Sequence, residues 1–419
     1  MESDRPLMRL DRRDAYLYIA AATLGSFGLG VTTFYLNFLY RALGFDGLAL
    51  GALVGAQALG VAAGVVAARV VAPGRSRRLV IIGGGVIVGT GIVGLLTQNA
   101  FPILVISAAL VGLGGIISSS SGIALLADAT DAGSRSQRFG QQIALGTMAA
   151  FFASILAGLL AAPVARLLGA GENEALTLRA LVALGGVVGA ASAIPVLFIR
   201  DVAVPRATTA HAGRLLPRFA AIEILFGFGA GSFLPFINLF FADRYGLSFG
   251  AIGAALGTIA VAGSLGALVH GRIVASRLGP VRGVVTVELL SLPFALAAAL
   301  TGNVVVAVLL FAARAALMYG AQATWSAYTL SSFVPAERAA VNATLALAWS
   351  IAAAIASSAS GAIRGALGPE GFTVNLIALV LFYAAGAVLV LTLFRGRDPL
   401  GDVVPAPWPN SGTVPTRSD

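Results

Sequence analysis

The sequence predicts an all-α membrane protein: twelve transmembrane helices arranged as two pseudo-symmetric six-helix bundles. Composition is the first observation behind this. Of 419 residues, 58% are hydrophobic and 11% charged, with a mean hydropathy of +0.92. Soluble domains carry about a quarter charged residues. The second observation is spacing, because twelve separate stretches each supply the roughly 20 apolar residues that a bilayer crossing needs at about 1.5 Å rise per residue. The third is an internal repeat. A shift of 201 carries Gly28, Gly30 and Asn37 onto Gly229, Gly231 and Asn238, and a shift of 203 carries Arg135, Ser154 and Gly158 onto Arg338, Ser357 and Gly361.

Residues 1–14 form a polar N-terminal segment, and 15–199 the first bundle. Its spans fall at 15–40, 48–71, 79–98, 102–128, 138–162 and 176–199. Residues 200–218, with Pro205 and Pro217, are the longest polar connection and separate the halves. The second bundle, 219–394, has spans at 219–242, 249–271, 282–300, 304–332, 340–363 and 372–394. The tail 395–419, with Pro399, Pro405, Pro407, Pro409 and Pro415, has too little apolar content to pack and reads as disordered. Short loops elsewhere imply sequential antiparallel helices. Pro235 should weaken span 7 locally and give it a bending point. Fifty-two glycines need a reason, since each weakens a helix. In lipid, small residues let helix backbones approach closely, and Gly51 and Gly55 with their repeats Gly253 and Gly257 are read as such packing positions.

The basic residues report orientation. All 27 are Arg; with both termini cytoplasmic, 21 fall on that side, 5 on the other (Arg41, Arg166, Arg179, Arg244 and Arg364), and Arg314 lies inside span 10. This bias in short loops sets a multi-pass protein of the cytoplasmic (plasma or inner) membrane with both ends inside. The net charge of +9 is then mostly a topological signal, and no nucleic-acid partner is expected. With no cysteines there is no disulfide framework or thiolate metal site, and two histidines, His211 and His270, cannot assemble a metal cluster. No HExxH, GxSxG or paired-Asp constellation is present, so an enzyme is not expected. The N-terminus lacks a signal-peptide pattern, so span 1 is expected in the mature protein.

Ionisable groups in hydrocarbon are costly enough to mark function. The first half has none in mid-span, whereas the second has Glu223 in span 7, Glu288 in span 9 and Arg314 in span 10. Helix rise puts Arg314 roughly 15 Å and Glu288 roughly 18 Å below the outer ends of their spans, at matching levels. Either the two form a fixed pair that orients spans 9 and 10, or Arg314 faces a cavity and binds a substrate anion or holds a titrating acid. At 100° per residue, Trp325 falls about 20°, Tyr328 about 40° and Gln322 about 80° from Arg314. One helix face thus offers a cation, an indole, a phenol and an amide, a mixture suited to a small organic ligand. Packed aromatics with satisfied polar tips are the competing reading.

Glu223 is the candidate proton carrier, since a desolvated carboxylate can take up and release a proton as water access changes. Glu288 is the rival for that role. Asn238 shares the Glu223 face, and the matching face of span 1 holds Ser26, Gly30, Thr33 and Asn37. The paired amides Asn37 and Asn238 can bind substrate or bridge the halves across a closed outer gate, and both readings stand at this point. The serine run Ser118 to Ser121 in span 4 either lines a cavity opposite span 10 or packs closely, and Gln57 and His270 are read as packing.

Twelve spans in two halves, cytoplasmic termini and a long central linker resemble the major facilitator superfamily over about 380 residues. The basic loop of that family between spans 2 and 3, GxxxDRxGRR, is partly matched by GVVAARVVAPGRSRR from Gly64 to Arg78. Arg69, Arg75, Arg77 and Arg78 keep its character, while Ala68 stands in place of the acid. The repeat after span 8, SRLGPVR, matches through Arg277, Gly279 and Arg282, with Ser276 in place of the acid. The resemblance implies that Arg69, Arg277 and Arg282 act at the cytoplasmic gate, and that spans 1, 4, 7 and 10 line a cavity. It also implies secondary active transport of a small molecule by alternating access, with the proton gradient as energy source and no cofactor. Span 5 lacks the GPxxGG pattern of many drug/proton antiporters, offering Gly158 and then Pro163. The expected cargo is a small organic solute, with a lean to efflux of an amphiphilic compound. The alternative is uptake of a small organic anion or polar metabolite held by Arg314. A protein functional as a monomer in the bilayer is expected.

Overall fold

The computed structural model describes residues 11–130, 132–201, 215–333 and 337–394. The tail 395–419, residues 1–10 and linker residues 202–214 lie outside them. Among the described residues the structure is helical with no strand. The first half comprises α1 (Arg12–Ala42), α2 (Gly47–Val71), α3 (Arg77–Thr97), α4 (Phe101–Asp128), α5 (Ala132–Leu168), α6 (Ala175–Ala191) and the short α7 (Ala193–Leu197), which continues span 6. The second half comprises α8 (Leu215–Phe233), a 3-10 turn (Leu234–Phe236), α9 (Ile237–Tyr245), α10 (Phe249–Leu278), α11 (Pro280–Leu300), α12 (Val304–Ser331), α13 (Arg338–Leu367) and α14 (Gly371–Phe394). Eleven continuous helical stretches have the length and hydropathy of a membrane crossing, and the last, Ala340–Phe394, contains both α13 and α14. The described helices therefore make twelve crossings.

Local chemistry sets where the helices start and turn. Asp11 caps α1, accepting from the backbone N–H of Arg13 at 2.9 Å while Asp14 accepts from the Asp11 N–H at 3.0 Å. Asp46 caps α2 through the Ala49 N–H at 2.8 Å, and Ser76 caps α3 through the Leu79 N–H at 3.2 Å. Gly246, at φ +63°, ends α9 in the left-handed conformation and turns the chain into α10. Span 7 breaks at Pro235, as its sequence predicts. Proline has no N–H for the carbonyl four residues back, and the hydroxyl of Ser357 on α13 donates to that orphan, Gly231 O, at 3.2 Å.

The helices pack in repeat-related pairs. In the first half α1 lies against α5 and α6, while α4 lies against α2 and α3; in the second, α8 lies against α13 and α14, while α12 lies against α10 and α11. Two helix pairs make most of the contact between the halves, α2 with α13 and its repeat mate α10 with α5, and α1 also touches α9. The repeated glycines make both contacts possible. A Cβ on Gly361 would come within 2.4 Å of Gly51 Cα, and one on Gly158 within 2.4 Å of Phe249 O. A Cβ on Gly253 would sit 2.4 Å from Ser154 O. These backbone contacts cluster at the end of the bundle away from the termini, called the distal end below.

That end is also sealed by side chains. Phe34, Tyr35 and Phe38 of α1 meet Phe249 of α10, with Phe38 and Phe249 ring centres 4.8 Å apart, and the Tyr35 hydroxyl donates to Ala157 O. Arg41 pairs with Asp243 across the halves. Asn37 donates to Pro235 O at 2.7 Å and to Asn238 Oδ1 at 3.0 Å, and Asn238 donates to Phe34 O at 2.9 Å. Phe34 and Pro235 are themselves 201 apart, so each amide reaches the carbonyl three residues before its counterpart. Of the gate and substrate readings left open for these amides, this conformation displays the bridge. From Val31 to Tyr40 every α1 residue except Thr33 is buried; toward the termini exposure returns. At the terminal end, Arg69 of α2 donates to Ala340 O at 2.6 Å and Thr344 Oγ1 at 2.9 Å on α13.

Two outcomes follow from this distal seal. Gly361→Ile should wedge α2 from α13, so that a cysteine introduced at Phe38 in this cysteine-free chain reacts with a membrane-impermeant maleimide at least about tenfold faster, the factor about 1.4 kcal/mol gives. Removing either amide, by Asn37→Ala or Asn238→Ala, should cost about 1–3 kcal/mol by leaving buried groups unpaired. The double substitution should cost about 1 kcal/mol less than the sum, read as thermal stability in a double-mutant cycle.

Candidate functional site

A cavity of about 380 Å³ lies in the second half, within the range of small-molecule sites. Its walls come from α8, the 3-10 turn, α9, α10, α11, α12, α13 and α14. Among the described residues the lining of this cavity comes from the second half, and the expected share of spans 1 and 4 is not part of it. The reason is packing. Distal to the cavity α1 is pressed into the seal, and small residues hold α4 tightly against α2 and α3, where Ser118 donates to Ile81 O at 3.1 Å.

All three mid-span ionisable groups face this cavity: Glu223 from α8, Glu288 from α11 and Arg314 from α12. Glu288 and Arg314 are 3% and 6% exposed, yet no ion pair joins them. The fixed Arg314 to Glu288 pair is therefore not formed in this conformation. Arg314 lies against the face of Tyr383, its guanidinium carbon 5.3 Å from the ring centre, with Nε and Nη2 buried and without hydrogen-bond partners. Glu288 Oε2 is likewise buried and unpartnered. Glu223 Oε1 accepts from Trp325 Nε1 at 3.0 Å, tying α8 to α12 beside the cavity.

The α12 face divides along its length. Gln322 is exposed within the cavity wall and Trp325 lines it, but Tyr328 is outside the lining. Tyr328 stacks on Trp325 at 5.9 Å and packs with Phe219 and Phe394, so it belongs to an aromatic cluster that holds the indole in place. Asn37, Asn238 and Thr33 are also outside the lining; the Thr33 hydroxyl donates to Leu29 O of its own helix at 2.8 Å. Of the gate arginines, Arg69 crosses between halves, while Arg277 and Arg282 are exposed at the terminal ends of α10 and α11. His270 Nδ1 meets Thr324 Oγ1 at 2.9 Å, tying α10 to α12.

Sequence reasoning missed several wall residues: Phe226, Tyr319, Trp349 and Tyr383. Tyr383 sits three positions from Gly386 on α14, where a Cβ would come within 2.5 Å of the Phe226 ring. The close approach of α14 to α8 that this glycine permits is the signal that could have placed Phe226 and Tyr383 beside one another.

No protein-family model and no curated protein sequence matches the chain. In fold it is similar to a bacterial homologue of the iron transporter ferroportin in an inward-facing state, with 17% identity, 91% of this chain and 98% of that one covered, and a TM-score of 0.70. It is similar to a bacterial homologue of the human lysosomal transporter Spinster, inward-facing and unoccupied, with 16% identity, 91% and 97% covered, and a TM-score of 0.70. The nucleoside transporter NupG matches with 18% identity over 91% and 98% of the two chains at a TM-score of 0.65. These neighbours are transporters of the major facilitator superfamily. The twelve crossings, the two repeat-related bundles and the match across nine-tenths of the chain show that this protein has the major facilitator superfamily fold.

Proposed function

We propose that the protein is a proton-coupled secondary active transporter that moves a small organic solute held in the second-half cavity by rocking its two bundles against one another. One observation carries the reading: a buried cation, a buried acid and a half-buried acid face a single cavity, with polar atoms left unpartnered, beneath a distal seal made of reversible contacts. Such groups are too costly in hydrocarbon to persist without a task. The seal consists of aromatic contacts, amide hydrogen bonds, one surface ion pair and glycine backbone contacts, which can part without exposing a charge to lipid. The arginine distribution supports a cytoplasmic terminal end, so this conformation is inward-facing.

Glu223 is the proton carrier in this reading, because its Trp325 hydrogen bond at 3.0 Å links protonation to the helix that carries Arg314. Glu288 and Arg314 hold the solute. The unpartnered Arg314 atoms favour a charge-bearing solute over an uncharged amphiphile. Arg69, joined to Ala340 O and Thr344 in this conformation, is a terminal-end gate contact that adjusts as the bundles rock.

The test uses purified protein in liposomes containing a pH-sensitive dye, with a panel of small metabolites and drugs added under an imposed pH gradient. A transported solute should move protons with it. Glu223→Gln should lower gradient-driven accumulation at least about tenfold, equal to about 1.4 kcal/mol of lost coupling, while leaving solute exchange without a gradient. Accumulation that stays pH-driven in Glu223→Gln moves the proton role to Glu288, and no solute-linked flux from any panel member refutes transport.

A further inference from the structure

We infer that the solute is a small zwitterion carrying a flat apolar group, with its carboxylate held by Arg314 and its ammonium by Glu288. This rests on the transport reading and names the substrate class of the same cavity.

Arg314 and Glu288 form two opposite poles of one cavity, each at least nine-tenths buried and neither paired with the other. Tyr383 positions the guanidinium through its ring face, leaving Nε and Nη2 without an oxyanion. Glu288 Oε2 lacks a donor, whereas Glu223 already accepts from Trp325, so Glu288 is the acid with an open site. A buried charge left unpaired is costly, and a partner that satisfies it removes that cost. A monoanion relieves Arg314 but crowds Glu288 with like charge, and a monocation does the reverse. A zwitterion satisfies both poles and leaves the net charge of the cavity unchanged. Phe226, Tyr319 and Trp349 supply aromatic wall for a flat substituent, and about 380 Å³ accommodates a ligand of amino-acid size.

The test compares three probes on one phenyl-ethyl skeleton: L-phenylalanine, 3-phenylpropanoate and 2-phenylethylamine. Full-length protein in lipid nanodiscs reports binding through its own tryptophan fluorescence, excited where the phenyl probes do not absorb. Two of the three tryptophans, Trp325 and Trp349, line the cavity. L-Phenylalanine should bind at least about tenfold more tightly than either singly charged probe, a gap of about 1.4 kcal/mol. Arg314→Gln should close the gap to the amine and Glu288→Gln the gap to the carboxylate. Equal or tighter binding of a singly charged probe, or binding of none of the three, overturns the inference, and this wild-type comparison stands even where a variant fails to fold. Counterflow of L-phenylalanine in liposomes separates the two claims. Selective binding without counterflow refutes transport and keeps the zwitterion site; solute-linked flux without the selectivity refutes the zwitterion and keeps transport.

Discussion

Backbone contact through glycine at one end of the bundle is the constraint from which the rest of the architecture follows. A helix pair in lipid has no hydrophobic drive to associate, so closeness must come from small side chains and hydrogen bonds. Gly51 against Gly361, and Gly253 with Gly158 against the opposing backbones of α5 and α10, bring the halves together where a single added carbon would push them apart. Because the two contacts are repeat mates, they are related by the pseudo-symmetry of the chain. Toward the termini Gln322 and Ser326 of α12 stay exposed in the cavity wall.

The buried charges make sense only within this geometry. Arg314 in a dry, fully packed bundle would need an anion against its guanidinium, and it has an aromatic ring there instead. Glu288 lies in the same cavity wall yet forms no ion pair with it. The proline break in span 7 belongs to the same design: Pro235 frees Gly231 O for Ser357 on α13, and its own carbonyl accepts from Asn37 on α1. One irregular turn thus couples the helix that carries Glu223 to the opposite half.

Much of the fold was legible in the sequence because hydrophobic length and a repeat at a nearly constant shift are one-dimensional signals. Most spans stand within a few residues of the observed helices; the largest differences are at α5, which runs 132–168 against 138–162, and at the end of α10, which reaches 278 against 271. Gly51 and Gly253 were legible as packing positions and Gly158 and Gly361 as a repeat, though none as a contact between halves, since spacing does not name a partner. The mid-span charges were legible as a cluster in the second half because burial cost is a property of residue type. The exclusion of Tyr328 from the cavity was not, because an angular difference of about 40° on a helical wheel leaves a side chain free to turn toward either neighbour. Nor was the absence of α1 and α4 from the wall, which depends on which conformation the two bundles adopt.

Alternation between two ends is best tested with spin labels in the cysteine-free chain, read by distances in lipid nanodiscs. Leu167 and Leu300, 85% and 67% exposed, stand at the distal ends of α5 and α11, and Val70 and Leu278, 77% and 40% exposed, at the terminal ends of α2 and α10. Cysteines introduced as these two pairs should give a short, narrow distal distribution and a longer terminal one. On binding a transported solute across a change of pH, the distal distance should lengthen as the terminal one shortens. Distances that stay fixed at both ends, or that lengthen and shorten together, would contradict the account.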